Sequence, residues 1–282
     1  MAYLFPLILL LGIIYVIPMM DVIRMSFSRI KLGEKVTDFT LNNYLLLFRS
    51  DEVFRVTLIF VGWSIVLQLS LGLLLALLID EGKKFKVPGT LLARSAVLIG
   101  WAMPGVVIGV IWKLLLDESR VGILSFLLSQ LGIHNIGFLS IPGMALTWTI
   151  IANTWRGTAF SMTLQFAALQ TVPQERIEAA IVDGAGYIKR ILYIILPHLR
   201  PIHLINLVLV SIATFNTFDM IVPLTGGGPG RSTEVIAISI YNTIFREFNL
   251  GKGSALAFFL LVLNILLTIF YFILLRSHKM DE

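Results

Sequence analysis

Cysteine is absent from the 282 residues, which removes disulfides, thiolate nucleophiles, cysteine-held zinc and iron–sulfur clusters from consideration. Charge is scarce: Asp, Glu, Lys and Arg make up 14% of the chain, against about 25% in soluble domains. The balance is basic, at +5, yet the cations stand singly between apolar runs and form no stripe of the kind nucleic acid requires. The histidines, His134, His198, His203 and His278, make no HExxH or paired metal spacing, so a surface role is expected of them and no metal. The glycine-rich stretches at 226–230 and 251–254 lack the GxxxxGK spacing of a phosphate-binding loop, and no nucleophile, base and orienter stand together. The chain is therefore expected to be no enzyme, to hold no cofactor and to hydrolyse no ATP itself.

What it has in excess is apolar residues, 57% of the total. They gather into six runs of about 20 residues, the length at which a helix rising about 1.5 Å per residue crosses roughly 30 Å of hydrocarbon. The runs cover residues 2–20, 56–79, 92–116, 144–169, 204–224 and 256–275. The first is read as a retained span, since no positive leader or small-residue cleavage site accompanies it. The expected fold is an all-α membrane protein with six transmembrane helices in a single domain over 1–282, multi-pass in the plasma membrane. Six spans put both termini on one side. That side carries nine Lys and Arg in 51 loop positions, against nine in 90 on the other, which places the termini in the cytoplasm. Trp101 and Trp112 are read as interface anchors and Lys113 as a snorkelling side chain.

A charged stretch with helical periodicity lies between the fourth and fifth runs: PQERIEAAIVDGAGYIKRILYIILPHLRP, residues 173–201. It is too polar to cross a membrane and is expected on its face. Pro173 suits a first helical turn and Glu175 and Glu178 suit its positive end, while Ile177, Ile181 and the alanines give a narrow apolar face. Gly184 permits a bend. Ile188, Ile191, Leu192 and Ile195 then make a second amphipathic stretch, which Pro197 and Pro201 are expected to end. An interfacial helix pair with no partner would need neither the alanine pair nor the glycine. Glu178, Ala179 and Ala180, then Gly184, then Ile194, Leu196 and Pro197 resemble the EAA loop of ABC importer permeases at every spaced position.

The resemblance extends over nearly the whole chain, to the carbohydrate branch of these permeases, the maltose and glycerol-phosphate type. Pro18 with Ser26 and Phe27, Asn43 with Tyr44, the run Gln68 to Ala76, Pro104 with Trp112, and LTGGGP at Leu224 to Pro229 recur there in this order. Gly186, Ile188 and Ile191 depart from the pattern, where the family often has a small polar residue and aromatics. The resemblance implies the type I importer permease fold and a coupling loop that docks into a cytoplasmic ATPase through Glu178, Ala179, Ala180, Asp183, Gly184 and Pro197. It implies as partners a second permease in a heterodimer, a dimer of ABC ATPase subunits binding ATP and Mg, and an extracytoplasmic solute-binding protein.

A charge at mid-membrane costs roughly 2.5–3.5 kcal/mol on insertion scales, so Arg156 is expected to face an interior and not lipid. Asn153, Arg156, Gly157 and Phe160 stand at i, i+3, i+4 and i+7, placing an amide, a guanidinium, open backbone and an aromatic ring on one helix face. That set suits a polyhydroxylated solute, its hydroxyls taken by the polar groups and its apolar face by the ring. By resemblance, NTWRGTAF at Asn153 to Phe160 matches the stretch that lines the sugar site of maltose-type permeases. Ser211, Thr214 and Thr217, spaced by three with Asn216 and Asp219 nearby, offer a second wall, or else a helix-packing surface. Two alternatives stay open. Arg156 is also suited to a phosphodiester or glycerol-phosphate-type solute, and Asp219 is the one carboxylate in any run that an ion-coupled secondary transporter could use.

Overall fold

The computed structural model describes residues 5–30, 39–48, 51–119, 121–134 and 136–278; residues 2–4 of the first expected span fall outside them. The chain opens with α1, Phe5–Ser26, which contains a π turn at Gly12–Val16. A short α2 (Asn42–Phe48) leads to α3 (Asp51–Lys84), 34 residues without a break. Helices α4 (Thr90–Ala102) and α5 (Gly105–Leu115) are followed by α6 (Ile123–Gln130), α7 (Pro142–Leu169) and α8 (Gln174–Val182). Then come α9 (Tyr187–Phe215), α10 (Ile221–Leu224), α11 (Ile236–Phe245) and α12 (Leu250–His278).

Among the described residues, α1, α3, α9 and α12 are long and apolar enough to cross a bilayer. The expected third span is not straight: α4 and α5 meet at 105°. The cause is Pro104, which forces Met103 into an extended conformation with ψ at 140° and leaves α5 to start afresh at Gly105. The fourth run forms α7, 28 residues long, but α7 falls short of the other spans in apolarity. It can, because α3, α4 and α9 pack around it and it does not have to meet lipid. The six equivalent spans read from the sequence thus become four apolar helices, one broken pair and one enclosed polar helix.

The fifth run is also corrected. Pro197 and Pro201 do not end the second stretch of the charged segment; α9 runs through both prolines and into the membrane as one element. A π turn at Ile191–Ile195 widens the helix just ahead of Pro197, and the Leu196 amide reaches back to the Ile191 carbonyl. This relieves the ring's clash with the preceding turn. At its far end α9 stops at Phe215, so Asn216 to Met220 is a turn where continuous helix was expected.

Small residues and buried amides hold the centre together. A side chain at Gly72 of α3 would overlap Ser161 of α7, so the two backbones approach as closely as glycine allows. At this crossing the Ser161 hydroxyl accepts from Gln165 Nε2 and from Asn206 Nδ2 of α9, each at 2.8 Å. Gln165 Nε2 also donates to the Leu69 carbonyl at 3.0 Å. All three side chains are fully buried. At the end of α1, Asn43 donates to the carbonyls of Ser26 and Ser28 at 2.9 and 3.0 Å, and the Tyr44 ring lies 5.1 Å from that of Phe27. Sequence landmarks in two separate segments therefore form one cap.

The loop between α5 and α7 is tied by Glu118, whose carboxylate accepts from the amides of Leu139 and Ser140 at 2.7 and 2.8 Å. Burial works against its ionisation, but these amides outweigh it and hold the carboxyl below its ordinary value of 4.5. With the folded value depressed, the tie is fully present above the ordinary value and is lost as the pH falls through the folded one.

Two outcomes follow. Gly72→Leu overfills the α3–α7 crossing and is expected to destabilise the chain by about 1–3 kcal/mol, whereas Gly62→Leu, at a position with no neighbour within 4 Å, leaves the thermal unfolding midpoint in detergent unchanged. Hydrogen exchange at Leu139 and Ser140, corrected for intrinsic rates, accelerates on acidification below pH 4.5, and Glu118→Gln shows the faster rate at every pH.

Candidate functional site

A cavity of about 540 Å³ opens where α3, α4, α7 and α9 converge. Helix α7 supplies Asn153, Arg156, Gly157 and Phe160, and the turn after α9 supplies Asn216, Thr217, Phe218 and Asp219. Of the residues singled out in the sequence, Asn153, Arg156, Gly157, Phe160, Thr214 and Thr217 line it together. Ser211 does not: its hydroxyl donates to the Leu207 carbonyl at 2.6 Å and lies 3.5 Å from the Tyr271 hydroxyl of α12. It serves helix packing.

The lining also includes Gln68 and Trp101, which were not assigned to the site from sequence, and Asp219, which was placed only near the second wall. A side chain at Gly157 would overlap the Gln68 amide, so the glycine gives Gln68 its place on the wall. Trp101, read as an interface anchor, is 57% exposed and also lines the cavity. Its ring stands 6.0 Å from Phe160, and the two make one aromatic surface. Trp112 likewise packs inward, with ring centres 6.3 Å from both Trp148 and Trp155. The Asn153 side chain is buried and its Nδ2 has no hydrogen-bond partner among the described residues, an uncompensated donor at the cavity wall.

Arg156 Nη1 donates to Asp219 Oδ1 at 3.0 Å. The pair joins α7 to the turn that replaces the end of the fifth expected span. Asp219 in turn rests on the first residue of α5, since any side chain at Gly105 would overlap its carboxylate. Another lies beyond it: a side chain at Gly109 would overlap the Met220 carbonyl and Pro223. The two irregular points of the membrane region thus touch each other. The signal was in the sequence, because Asp219 is the lone acid in any of the six runs and Pro104 interrupts the third.

Beyond this turn the LTGGGP segment folds back on itself. Gly226 and Gly227 take φ of +62° and +97°, a region closed to most side chains, and the Gly228–Pro229 bond is cis. The hydroxyls of Thr225 and Thr233 meet at 2.7 Å, and Thr233 Oγ1 donates to the Gly228 carbonyl at 3.0 Å.

At the opposite end, α8 projects from the bundle with Glu178, Ala179 and Asp183 exposed and Ala180 half-buried. The Gly184 amide bonds to the Ile181 carbonyl at 3.0 Å and the Ala185 amide to the Ala180 carbonyl at 2.8 Å. With Gly184 at φ +77°, this is the paired closure of a Schellman motif. The turn exposes Ile181 at 51%, Val182 at 87% and Ile188 at 70%, an apolar surface that water does not favour. Pro197 is exposed on α9, away from this surface in sequence but on the same continuous helix as Ile188.

Residues 68–279 match the family described as binding-protein-dependent transport system inner membrane component. The chain belongs to that family. It is 34% identical over 273 residues to the trehalose/maltose transport system permease protein MalF of Thermococcus litoralis, covering 94% of this chain and 90% of that protein. It is 32% identical over 282 residues to the sulfoquinovosyl glycerol transport system permease protein SmoG of Agrobacterium fabrum, covering 96% and 88%. Its fold matches a chain of a bacterial ABC transporter involved in the import of the acidic polysaccharide alginate, with a TM-score of 0.83 at 23% identity over 98% of this chain and 94% of that one. The protein is thus a multi-pass permease subunit of an ABC importer.

The Schellman closure generates a direct expectation. Gly184→Val forces a branched side chain into left-handed backbone at about 1–2 kcal/mol; exchange at residues 174–185 accelerates, while the unfolding midpoint of the helix bundle holds.

Proposed function

We propose that this chain is one of two membrane-spanning subunits of an ATP-driven carbohydrate importer, and that the cavity between α7 and α9 is its half of the solute pathway. The observation that carries the reading is the wall itself: an unpartnered buried amide donor at Asn153 beside an aromatic surface of Trp101 and Phe160. Sugars present a ring of hydroxyls and an apolar face, and such a wall answers both. The relative named for trehalose and maltose supports a carbohydrate, which a second permease wall would help to enclose.

Energy enters through the exposed surface of α8 and the turn at Gly184, on which a cytoplasmic ATPase docks; a pair of such ATPases binds ATP and Mg. Helix α9 carries the force. It starts beside that turn at Tyr187 and reaches the cavity at Leu209, Ala213 and Thr214, so one continuous element joins the docking surface to the solute wall. ATP-driven closure would displace α8, shift α9 and exchange two packings of the bundle, with the cavity opening to opposite faces in turn. Both termini lie in the cytoplasm, and an extracytoplasmic binding protein delivers solute at the far end, where the Gly226–Gly230 loop stands.

The test uses the complex extracted from native membranes with the proteins that accompany it. An ATPase and a second permease should co-purify in fixed ratio, and a carbohydrate presented with the binding protein should stimulate ATP hydrolysis. Asn153→Ala with Phe160→Ala is expected to raise the half-saturating solute concentration about tenfold, which corresponds to about 1.4 kcal/mol. An unchanged concentration dependence would remove this face from the pathway.

A further inference from the structure

We infer that Asp219 sets the charge class of the solute: it fills the anion position of the cavity, so the pathway admits uncharged polyols and turns away carboxylated, sulfonated or phosphorylated ones. The inference rests on the reading of the cavity as a solute pathway. Arg156 and Asp219 are the charged residues among those lining the cavity, one of each sign, and their side chains are 29% and 32% exposed. The pair therefore borders the open space and is not sealed in packing.

Two features would make this corner an anion receptor without Asp219. A guanidinium in a partly dehydrated site binds carboxylate, sulfonate and phosphate groups strongly. The second is the amino end of α5. Because Pro104 breaks the third span, α5 begins inside the membrane region; its first amide to bond back along the chain is that of Ile108, to the Pro104 carbonyl. The amides before it carry the positive end of the helix. Broken membrane helices commonly turn such ends toward a pathway to hold an anionic solute group. Here Asp219, seated against Gly105 and bonded to Arg156, lies beside that end.

The glycine at 105 is part of the arrangement, since any larger residue would push the carboxylate away. An incoming anion would have to displace a tethered like charge. A polyol need not: it can bond the guanidinium donors that the single contact to Asp219 leaves over, and the Asn153 amide.

The experiment titrates sodium sulfate against sodium chloride at fixed ionic strength and follows thermal unfolding of the purified complex. Asp219→Asn is expected to bind sulfate about tenfold or more tightly than the unmodified complex, seen as a midpoint that rises and saturates with sulfate. The double substitution Arg156→Gln with Asp219→Asn should lose that gain while experiencing the same general salting effect. Asp219→Ser, shorter and free of crowding against Gly105, serves as a second neutral variant. Equal sulfate responses in the unmodified and neutral-219 complexes would overturn the inference. So would failure of both neutral variants to assemble, which would make the carboxylate a structural strut. The readout needs no solute, so if no carbohydrate stimulates the complex and the importer reading falls, the sulfate result still decides the role of Asp219.

Discussion

Inside a bilayer each backbone amide and carbonyl has to be satisfied within the protein, and an uninterrupted helix is the simplest way to do so. The architecture of this chain follows from where it obeys that constraint and where it departs from it. It departs at Met103–Pro104 and at Asn216–Met220, and the two departures face each other across Gly105, Gly109 and Asp219. Irregular backbone at membrane depth persists where protein covers it or where it lines a cavity. Both conditions hold here, and the cavity lies against the second break.

The enclosure of α7 is the counterpart of that arrangement. Placing its polar surface among α3, α4 and α9 lets the helix carry Asn153, Arg156 and Gln165 without exposing them to lipid. The cost of burying these groups is offset by specific partners: Asp219 for the guanidinium, and Ser161 with the Leu69 carbonyl for Gln165. Asn153 has no such partner for its amide nitrogen, nor has Gln165 for its amide oxygen, and of the two only Asn153 lines the cavity.

Much of this was legible in the residues. Apolar runs located the membrane helices, and the spacing around Glu178 to Gly184 located α8 and its turn, because short-range periodicity and a glycine suffice to define them. The face of α7 was legible for the same reason. What was not legible depended on contacts across the chain. Pro197 and Pro201 read as helix ends, since sequence alone does not reveal a π turn that absorbs the first of them. The contact of Trp101 with Phe160 at the cavity was not legible because the two lie 59 positions apart. Ser211 shares a spacing with Thr214 and Thr217, but the rotation of α9 turns it toward Tyr271. Asp219 and Pro104 stood out individually, and only the fold brings them together.

Helix α3 has one more property. At 34 residues it is about 51 Å long, well beyond the hydrocarbon thickness, and it crosses close against α7 at Gly72. That point divides it unequally, with about 18 Å toward Lys84 and about 32 Å toward Asp51. The short arm ends among Asp80, Lys83, Lys84 and Gln170, at the foot from which α8 projects; the long arm reaches Thr57, whose hydroxyl accepts from the Ile236 amide at 3.0 Å. The off-centre crossing makes α3 a brace that ties the foot of α8 to the start of α11, seated against α7 at a residue without a side chain.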